Sequence, residues 1–330
     1  MRVLVLGGTG FIGPHVIRRL ADRGHDVLVF HRGETESEVA AAATHVHGDF
    51  ADFDDHVDEL ASWEPEVVVD MAARGAEEGR RVRTFKGVAG RGVVASSADV
   101  YRAFGRGHGT EPGPPDPVPL TEDSPLREKV VVAGRDKVGV EREAQADPDF
   151  PVTILRLPAT HGPGDPRHRL FEYVKRMDDG RPAILLEETL ARWHWVRGYV
   201  ENVADAVALT AEDDRAAGRI YNVADPVPYT EAEWVRRIGD VVGWRGDGLA
   251  VPDAILPAHL RLPADFTQDY SVDSTRIRTE LGYGERIPED EALARTIEWE
   301  RANPPPEFKP EEFDYAAEDE AIARLIADAS

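Results

Sequence analysis

Short apolar runs alternate with amphipathic stretches through the first half of the chain. The runs typical of strands are VLVL (3–6), DVLVF (26–30), EVVVDMA (66–72), GVVASS (92–97) and VTILRLP (152–158). Strands that alternate with helices indicate right-handed crossovers and a parallel sheet. The pattern therefore predicts an α/β fold with a doubly wound parallel sheet.

The pattern becomes less regular after residue 160 and predicts a smaller C-terminal substrate-binding lobe. Helical periodicity covers 172–182 and 201–213, and a strand is predicted over 218–225. The last two elements could return to the main sheet. The predicted organisation is a nucleotide-binding domain at 1–160 with sheet elements returning from about 200–225, a lobe at 161–303, and an acidic tail at 304–330.

A glycine-rich turn, GGTGFIG (7–13), lies between the first predicted strand and the first predicted helix. Such a turn lets the backbone approach a pyrophosphate closely and places that phosphate at a helix N-terminus. Pro14 suits the first turn of that helix, where its missing N–H costs little. The turn predicts a bound dinucleotide, contacted by Gly7, Thr9, Gly10, Phe11, Ile12 and Gly13.

The end of the second predicted strand indicates which dinucleotide is bound. An acidic residue at this place would bind the ribose 2′-hydroxyl, whereas an arginine suits a 2′-phosphate. The sequence is VFHRGE (29–34), with Arg32 and no acid at Phe30 or His31. We therefore expect NADP. The alternative is NAD, with Arg32 solvated and Glu34 on the ribose.

Composition excludes several classes of function. The chain has 330 residues, no cysteine and a formal charge of −23, and so acidic a surface argues against nucleic acid as a partner. No apolar run is long enough to span a membrane, and no secretion signal is visible, so we expect a cytoplasmic protein. Histidines are not clustered at metal-ligand spacing, and no metal is predicted.

Several motifs resemble those of the extended short-chain dehydrogenases/reductases, within the NAD(P)-dependent epimerase/dehydratase family, and the similarity covers most of residues 1–300. This resemblance implies a Rossmann-type sheet and assigns further site residues. Ser97 takes the place of the catalytic serine or threonine. The motifs are HGDF (47–50), DMAA (70–73), SSADVY (96–101), LRLPATHGPGD (155–165) and DSTRIRTELGY (273–283). The cofactor contacts implied are Asp49 and Phe50 at the adenine, Ala72 and Ala73 beside the cofactor, and Pro158 near the nicotinamide.

One departure from the family pattern concerns catalysis. AGRDKVGVE (133–141) is similar to the family's Y-G-x-x-K-x-x-x-E, with Ala133 at the tyrosine position and Lys137 at the lysine. In the family the tyrosine transfers a proton, and the lysine lowers its pKa and holds the nicotinamide ribose. A phenol with a pKa near 10 does need a close cation, and residues four apart share a helix face. Alanine has no proton to transfer.

Three explanations for Ala133 stay open. Another residue supplies the proton, or the segment aligns differently and a tyrosine comes from elsewhere, or redox chemistry has been lost. Asp99 is the first candidate, because family dehydratases carry acidic residues just after the serine or threonine; its alternative role is to cap the turn. The other candidates are Tyr101, His161 and Tyr199. For Lys137, the alternative is a salt bridge to Glu141.

The predicted function is an NADP-dependent enzyme of the epimerase/dehydratase/reductase type that acts on a hydroxyl or keto group of a small molecule, which could be a nucleotide sugar. Trp193 and Trp195 alternate along a predicted strand and could stack on substrate or belong to the core. His194 and Arg197 could bind a diphosphate or form loop contacts. The alternatives are a catalytically silent NAD(P)-binding sensor or scaffold, and a redox-neutral lyase or isomerase. The resemblance also implies a homodimer formed through the Lys137 helix.

Overall fold

A computed structural model describes residues 1–35, 43–307 and 309–328. The strands are β1 (Arg2–Leu6), β2 (Asp26–His31), β3 (Thr44–His47), β4 (Val67–Asp70), β5 (Arg91–Ser97), β6 (Val152–Leu157), β7 (Ala159–His161), β8 (Ala183–Glu187), β9 (Arg197–Tyr199), β10 (Ile220–Asn222) and β11 (Asp247–Val251). The helices are α1 (Gly13–Asp22), α2 (Phe53–Ser62), α3 (Arg102–Gly107), α4 (Lys137–Ala144), α5 (Phe171–Asp178), α6 (Glu188–Arg192), α7 (Val200–Glu212), α8 (Glu231–Val242), α9 (Thr275–Leu281), α10 (Glu289–Ala302) and α11 (Tyr315–Asp328).

Seven parallel strands form the central sheet, in the order β3-β2-β1-β4-β5-β6-β10. The predicted doubly wound parallel sheet is confirmed. Strand order reverses between β1 and β4, where ligands of such sheets bind beyond the carboxyl ends of the strands. In register, Leu6 of β1 lies opposite both Phe30 of β2 and Asp70 of β4, so these three strands end at one level.

Helices cover both faces of the sheet. Side chains alternate between the two faces along each strand, and because both sets are apolar, both faces must be buried. Val3 and Val5 face a core shared with α1 and α7, whereas Leu4 and Leu6 face one shared with α2 and α4. Between β4 and β5 the chain forms a 3-10 helix (Ala76–Phe85) that packs on α4. A Cβ at Gly79 would lie 2.3 Å from the carbonyl oxygen of Val140, so this close packing requires glycine.

The C-terminal lobe surrounds a parallel pair, β8 and β11, and packs α5, α6, α8 and α10 around Leu170, Trp234 and Leu293. The acidic tail packs on this lobe through α11, where the buried Glu318 accepts a hydrogen bond from Arg176 (3.0 Å). The last two residues of the tail lie outside the described residues. In the part of the chain described, no helix is both long and apolar enough to cross a membrane.

Candidate functional site

The glycine turn joins β1 to α1 at the point where strand order reverses. A Cβ at Gly13 would lie 2.2 Å from Cα of Gly8, so the turn can close only on glycine. A Cβ at Gly10 would meet nothing within 4 Å, so this face of the turn is open. Ile12 at the N-cap of α1 makes no side-chain capping bond, Pro14 has no N–H, and the N–H of His15 bonds to the Ile12 carbonyl (3.1 Å), so a ligand at this helix end would use N–H groups before Pro14. These features fit the pyrophosphate of a dinucleotide.

The end of β4 presents ordered backbone beside this turn. Asp70 Oδ1 accepts hydrogen bonds from the N–H groups of Ala72 (2.8 Å) and Ala73 (2.9 Å). Asp70 Oδ2 is buried without a hydrogen-bond partner among the described residues. Burial raises the pKa of Asp70 against the opposing charge of Arg81. This carboxyl fixes the two alanines that sequence reasoning assigned to the cofactor.

Lys137 bridges the ends of two neighbouring strands. Its Nζ donates to the carbonyl oxygens of Ala73 (2.6 Å) and Ala95 (2.7 Å), and the side chain is buried. Burial is the largest cause that lowers its pKa to about 8, followed by the charge of Arg135. Both hydrogen-bond partners are neutral. A predicted alternative, a salt bridge to Glu141, is therefore wrong.

Ala133 does not lie on the Lys137 helix, which corrects the expected geometry. Asp136 caps α4 by accepting from the N–H of Gly139 (3.0 Å), so the helix begins at Lys137. The N–H of Arg135 bonds to the carbonyl of Val132 (3.0 Å) and closes a turn with Gly134 at φ 72°. Ala133 is exposed at the tip of that turn.

Ser97 and Asp99 lie together where β5 ends. The Ser97 hydroxyl accepts from the N–H of Asp99 (3.3 Å) and caps a short 3-10 turn. Asp99 Oδ2 lies 2.9 Å from Nε of Arg135, and Oδ1 is buried without a hydrogen-bond partner among the described residues. Arg127 donates to the backbone carbonyl of Asp99 (2.8 Å), which ties the 127–135 segment to this strand end. The capping role considered for the Asp99 carboxylate belongs to Ser97 instead.

The other three candidates for proton transfer are already engaged. Tyr101 donates to Asn222 Oδ1 (2.5 Å) and accepts from Arg156 (3.1 Å), and burial raises its pKa to about 12. His161 is hydrogen-bonded to Thr296 (3.2 Å), and burial lowers its pKa to about 3. A third tyrosine, missed by sequence reasoning, reaches the end of β5 from a distant segment: Tyr270 donates to the carbonyl of Ala98.

Tyr199, the remaining candidate, donates to Glu201 Oε1 (3.0 Å) in a buried position. Burial and the neighbouring Glu201 carboxylate raise its pKa. It packs with Phe11 and Ile12 of the glycine turn and with Ile287. These contacts give Tyr199 a role in supporting the turn.

A buried ionic network beneath the strand ends was also missed. Arg156, which is 2% exposed, donates to Glu141 Oε2 (2.8 Å) and to the carbonyl of Glu122 (2.9 Å). Ser96 donates to Glu141 Oε1 (2.6 Å). The signal in the sequence was an arginine inside the apolar run VTILRLP, because a buried charge requires a partner.

The residues predicted to contact the adenosine lie at the ends of β2 and β3. Arg32 is exposed and ion-paired with Glu34 (3.0 Å), so the two residues proposed for the ribose contact each other. Asp49 accepts from the N–H of Ala51 (2.8 Å), and Phe50 packs edge-on against Phe30 (5.2 Å between ring centroids). Thr9 is hydrogen-bonded to Thr35 (3.0 Å).

Three histidines cluster at this same edge, which sequence reasoning did not anticipate. His31, His45 and His47 each offer one ring nitrogen, and these atoms lie within 4.8 Å of one another. The expectation that histidines are not clustered at ligand spacing is therefore wrong. The reason is that β2 and β3 bring residues 14 to 16 positions apart side by side.

A cavity of about 930 Å³ opens on the lobe side of the sheet. Trp193 and Trp195 both line it, with ring centroids 5.7 Å apart, as do Phe104 and Phe266. The predicted longer strand is wrong, since β9 covers only Arg197–Tyr199, and Trp195 pairs with Tyr270 only through an isolated bridge. Ser97 and Lys137 do not line this cavity, which reaches β5 through Tyr270 and β7 through Ala159 and His161.

Two arginines of the cavity wall are paired with buried carboxylates. Arg197 is ion-paired with the buried Glu231, and Arg169 with the buried Asp165 (2.6 Å). His194 lies 3.1 Å from Asp269. The structure therefore favours loop and wall contacts for His194 and Arg197.

Comparison with known proteins gives the family of the chain. A sequence model of the NAD dependent epimerase/dehydratase family matches residues 3–224. The 2'-dehydrokanamycin reductase of Streptomyces kanamyceticus is 29% identical over 264 residues, covering 76% of this chain and 70% of the relative. The dTDP-glucose 4,6-dehydratase of Streptomyces niveus is 26% identical, with coverage of 92% and 94%.

A similar fold occurs in the UDP-glucose-4-epimerase of Stenotrophomonas maltophila, solved with bound NAD and formylated UDP-arabinopyranose. The TM-score is 0.68 at 20% identity, with 92% of this chain and 98% of that chain covered. The suspected resemblance is thereby confirmed, since the family match spans more than half of the chain. The chain belongs to the NAD dependent epimerase/dehydratase family.

Proposed function

We propose that the protein is an NADP-dependent enzyme of the epimerase/dehydratase/reductase type that acts on a hydroxyl or keto group of a small molecule. The observation that carries this proposal is the buried Lys137 between Ala73 and Ala95. A lysine buried against neutral carbonyls costs stability, and such strained charges concentrate at functional sites. Its position between β4 and β5 suits a ligand that crosses the strand ends.

On the cofactor side, each group supports one part of a dinucleotide. The amides at the start of α1 and the open face of Gly10 would hold the pyrophosphate. Arg32, if released from Glu34, would bind a 2′-phosphate, which is the basis for preferring NADP to NAD. Lys137 would hold the nicotinamide ribose. When bound, the nicotinamide would supply hydride transfer.

On the catalytic side, Ala133 leaves proton transfer to another residue, and we assign it to Asp99. Its Oδ1 is buried and carries no hydrogen bond within the described chain, while Arg135 holds the other oxygen. As a carboxylate, Asp99 can accept a proton from a substrate hydroxyl. Ser97, two residues away, would hold the same substrate oxygen through its hydroxyl.

The cavity supports a substrate with ring systems. Trp193, Trp195 and Phe104 offer flat apolar faces, and sugar or base rings stack on such surfaces. A nucleotide-linked sugar fits this description, and the dehydratase and epimerase relatives are named for such substrates. The substrate would extend from the cavity, past Tyr270, to the end of β5.

Turnover tests this proposal directly. Purified protein is screened with reduced and oxidised NADP and NAD against nucleotide sugars and ring ketones, following the absorbance of the reduced nicotinamide. We expect Asp99→Asn to lower kcat by about 10²- to 10³-fold with KM and cofactor affinity little changed. Asp123→Asn, which removes an exposed carboxylate paired with Arg276, is the matched control.

A catalytically silent NAD(P)-binding sensor or scaffold is the second candidate. Arg135 is already ion-paired with Asp99, and Ala133 has no phenol to transfer a proton. Tight cofactor binding with no turnover for any substrate would favour it. Wild-type kcat in Asp99→Asn would instead show that another group moves the proton, and Tyr270, which donates to the carbonyl of Ala98, would be tested next.

A further inference from the structure

The edge of the sheet brings three imidazoles to one face. In the parallel pairing of β2 with β3, His31 lies directly opposite His47. His45 comes two residues before His47 in the same strand, so both point to the same face. The backbone register therefore places all three histidine side chains on the same face of the sheet edge, whichever rotamers they adopt.

The ring nitrogens are close enough to share a ligand. Nε2 of His31 lies 2.7 Å from Nδ1 of His45, and one nitrogen of each ring lies within 4.8 Å of the others. In a tetrahedral zinc site with Zn–N bonds of 2.0–2.1 Å, ligand nitrogens are about 3.4 Å apart. The observed separations, 2.7 Å for one pair and at most 4.8 Å within the set, lie on either side of that spacing.

Burial is graded across the cluster in a way that suits metal entry. His31 is buried at 2% exposure, His45 is half-buried and His47 is exposed. The His31 ring meets the His45 ring at 5.0 Å and the His47 ring at 4.8 Å between centroids, edge to face in both cases, so His31 packs against both of its neighbours. Because His47 is exposed, solvent reaches the cluster and water can supply a further ligand.

We propose that His31, His45 and His47 form a binding site for a divalent transition metal ion of the zinc class. Three imidazoles with an open position are the donor set that Zn²⁺ takes in carbonic anhydrase. Imidazole also suits Co²⁺, Ni²⁺ and Cu²⁺, whereas Mg²⁺ and Ca²⁺ prefer oxygen, which this group of three does not offer. The argument for this site does not use the proposed enzymatic function, although His31 directly precedes Arg32 at the same edge of the sheet.

Binding requires one tautomer to change. Nδ1 of His31 accepts a hydrogen bond from the N–H of Gly33 (3.1 Å), so its proton lies on Nε2, the atom that faces His45. A metal on Nε2 moves that proton to Nδ1 and displaces the Gly33 N–H. Gly33 is exposed, so water can replace the lost bond at small cost.

Direct metal titration tests the site. Untagged protein, stripped with a chelator, is titrated with Zn²⁺ by calorimetry and with Co²⁺ by visible absorption. We expect one ion per chain, a cobalt spectrum typical of low coordination number, and a higher melting temperature with Zn²⁺. The expected dissociation constant is micromolar or tighter.

Variants assign the ligands. We expect His47→Ala to weaken Zn²⁺ binding at least 10-fold and to abolish the metal-dependent rise in melting temperature. The metal-free variant is melted beside the wild type, so that what the existing contacts of the His47 ring add to stability is measured apart from metal binding. His47→Gln, which keeps a polar side chain, guards against a folding defect. His108→Ala is the control, since it removes an exposed histidine on another surface.

Two outcomes would overturn the proposal. One is the absence of stoichiometric binding by the wild type, which would leave the cluster as a hydrogen-bonded group of aromatic rings. The other is equal Zn²⁺ affinity in His47→Ala and His108→Ala, which would place the ion elsewhere.

Discussion

The cofactor side and the cavity side of this site are built from different kinds of atoms. The cofactor side consists mainly of backbone: the glycine turn, the start of α1, and the carbonyls that hold Lys137. The cavity side consists of side chains such as Phe104, Trp195, Phe266 and Phe313, which come from distant segments. A backbone turn of this kind forms in any chain whose local sequence permits it. The set of side chains that lines a cavity differs from one chain to the next. The class of chemistry is therefore easier to infer than the substrate.

The two sides also treat charge differently. Cations of the cavity wall, such as Arg169 and Arg197, are neutralised by buried carboxylates. The hydrogen-bond partners of Lys137 are neutral carbonyls, so its charge is not cancelled by direct contact. A charge held in this way can act on a bound ligand, while a paired one mainly supports the wall.

The largest expected effect comes from the glycine turn. Gly13→Val should lower cofactor affinity more than about 100-fold and reduce the melting temperature, because its side chain would overlap the backbone of Gly8. Gly10→Ala is the matched variant, since its Cβ meets nothing within 4 Å, and it should melt as the wild type does. Calorimetry and thermal melting measure both. An unaffected Gly13→Val would refute the backbone description of the cofactor side.

The next effect concerns the network that supports the strand ends. Glu141→Gln leaves Arg156 buried without its ionic partner, and we expect a loss of about 3–5 kcal/mol in the free energy of unfolding by urea. Glu143→Gln on the same helix disturbs a more exposed pair with Arg83 (3.6 Å) and should cost less than about 1 kcal/mol. Equal losses of unfolding free energy in the two variants would show that burial of the Arg156–Glu141 pair does not determine its contribution to stability.

A pH-dependent effect tests the buried lysine. Its pKa is lowered from 10.5 to about 8, so between these values the unfolded chain holds a proton that the folded protein has released. Stability rises with pH where the unfolded state binds more protons. The free energy of unfolding of the wild type, relative to Lys137→Met, should therefore rise between about pH 8 and 10.5, by at most about 1.4 kcal/mol per pH unit. The control Lys129→Met, at an exposed position, should follow the wild type.

The smallest effect concerns cofactor choice. Arg32→Ala should weaken NADPH binding about 5- to 10-fold and leave NADH binding unchanged, because an exposed charge contact is worth about 1 kcal/mol. Glu34→Gln should not weaken NADPH binding. The reverse pattern, with NADH binding lost in Glu34→Gln, would assign the ribose to Glu34 and NAD to the site.

Much of the fold was predictable because its signals are local. The runs VLVL and DVLVF became β1 and β2 in full register, and the glycine turn followed β1 as expected. The helix that carries Lys137 was also predicted, and a different alignment of the segment before it was one of the open explanations. Asp136 caps the helix, so the helix begins at Lys137. Ala133 lies in a separate turn, which the hydrogen bond from the Arg135 N–H to the Val132 carbonyl closes.

Features built from distant residues were not predictable. Tyr270 donates to the carbonyl of Ala98, 172 positions away in the sequence. Arg156 donates to the carbonyl of Glu122, which lies in a loop. The three histidines meet only because β2 and β3 pair in one particular register. Single-sequence patterns report periods of two or four residues, so they do not specify such pairings.

By itself, the sequence determined the parallel sheet, the dinucleotide turn and the absence of thiol chemistry, because each depends on composition or on neighbours along the chain. Only the tertiary structure decided which groups surround Asp99, which cations of the cavity are already paired, and that the edge of the sheet holds a histidine cluster. The physical reason is that ion pairing, burial and ligand geometry depend on contacts between residues that are distant in sequence. These contacts form only when the strands and loops pack together.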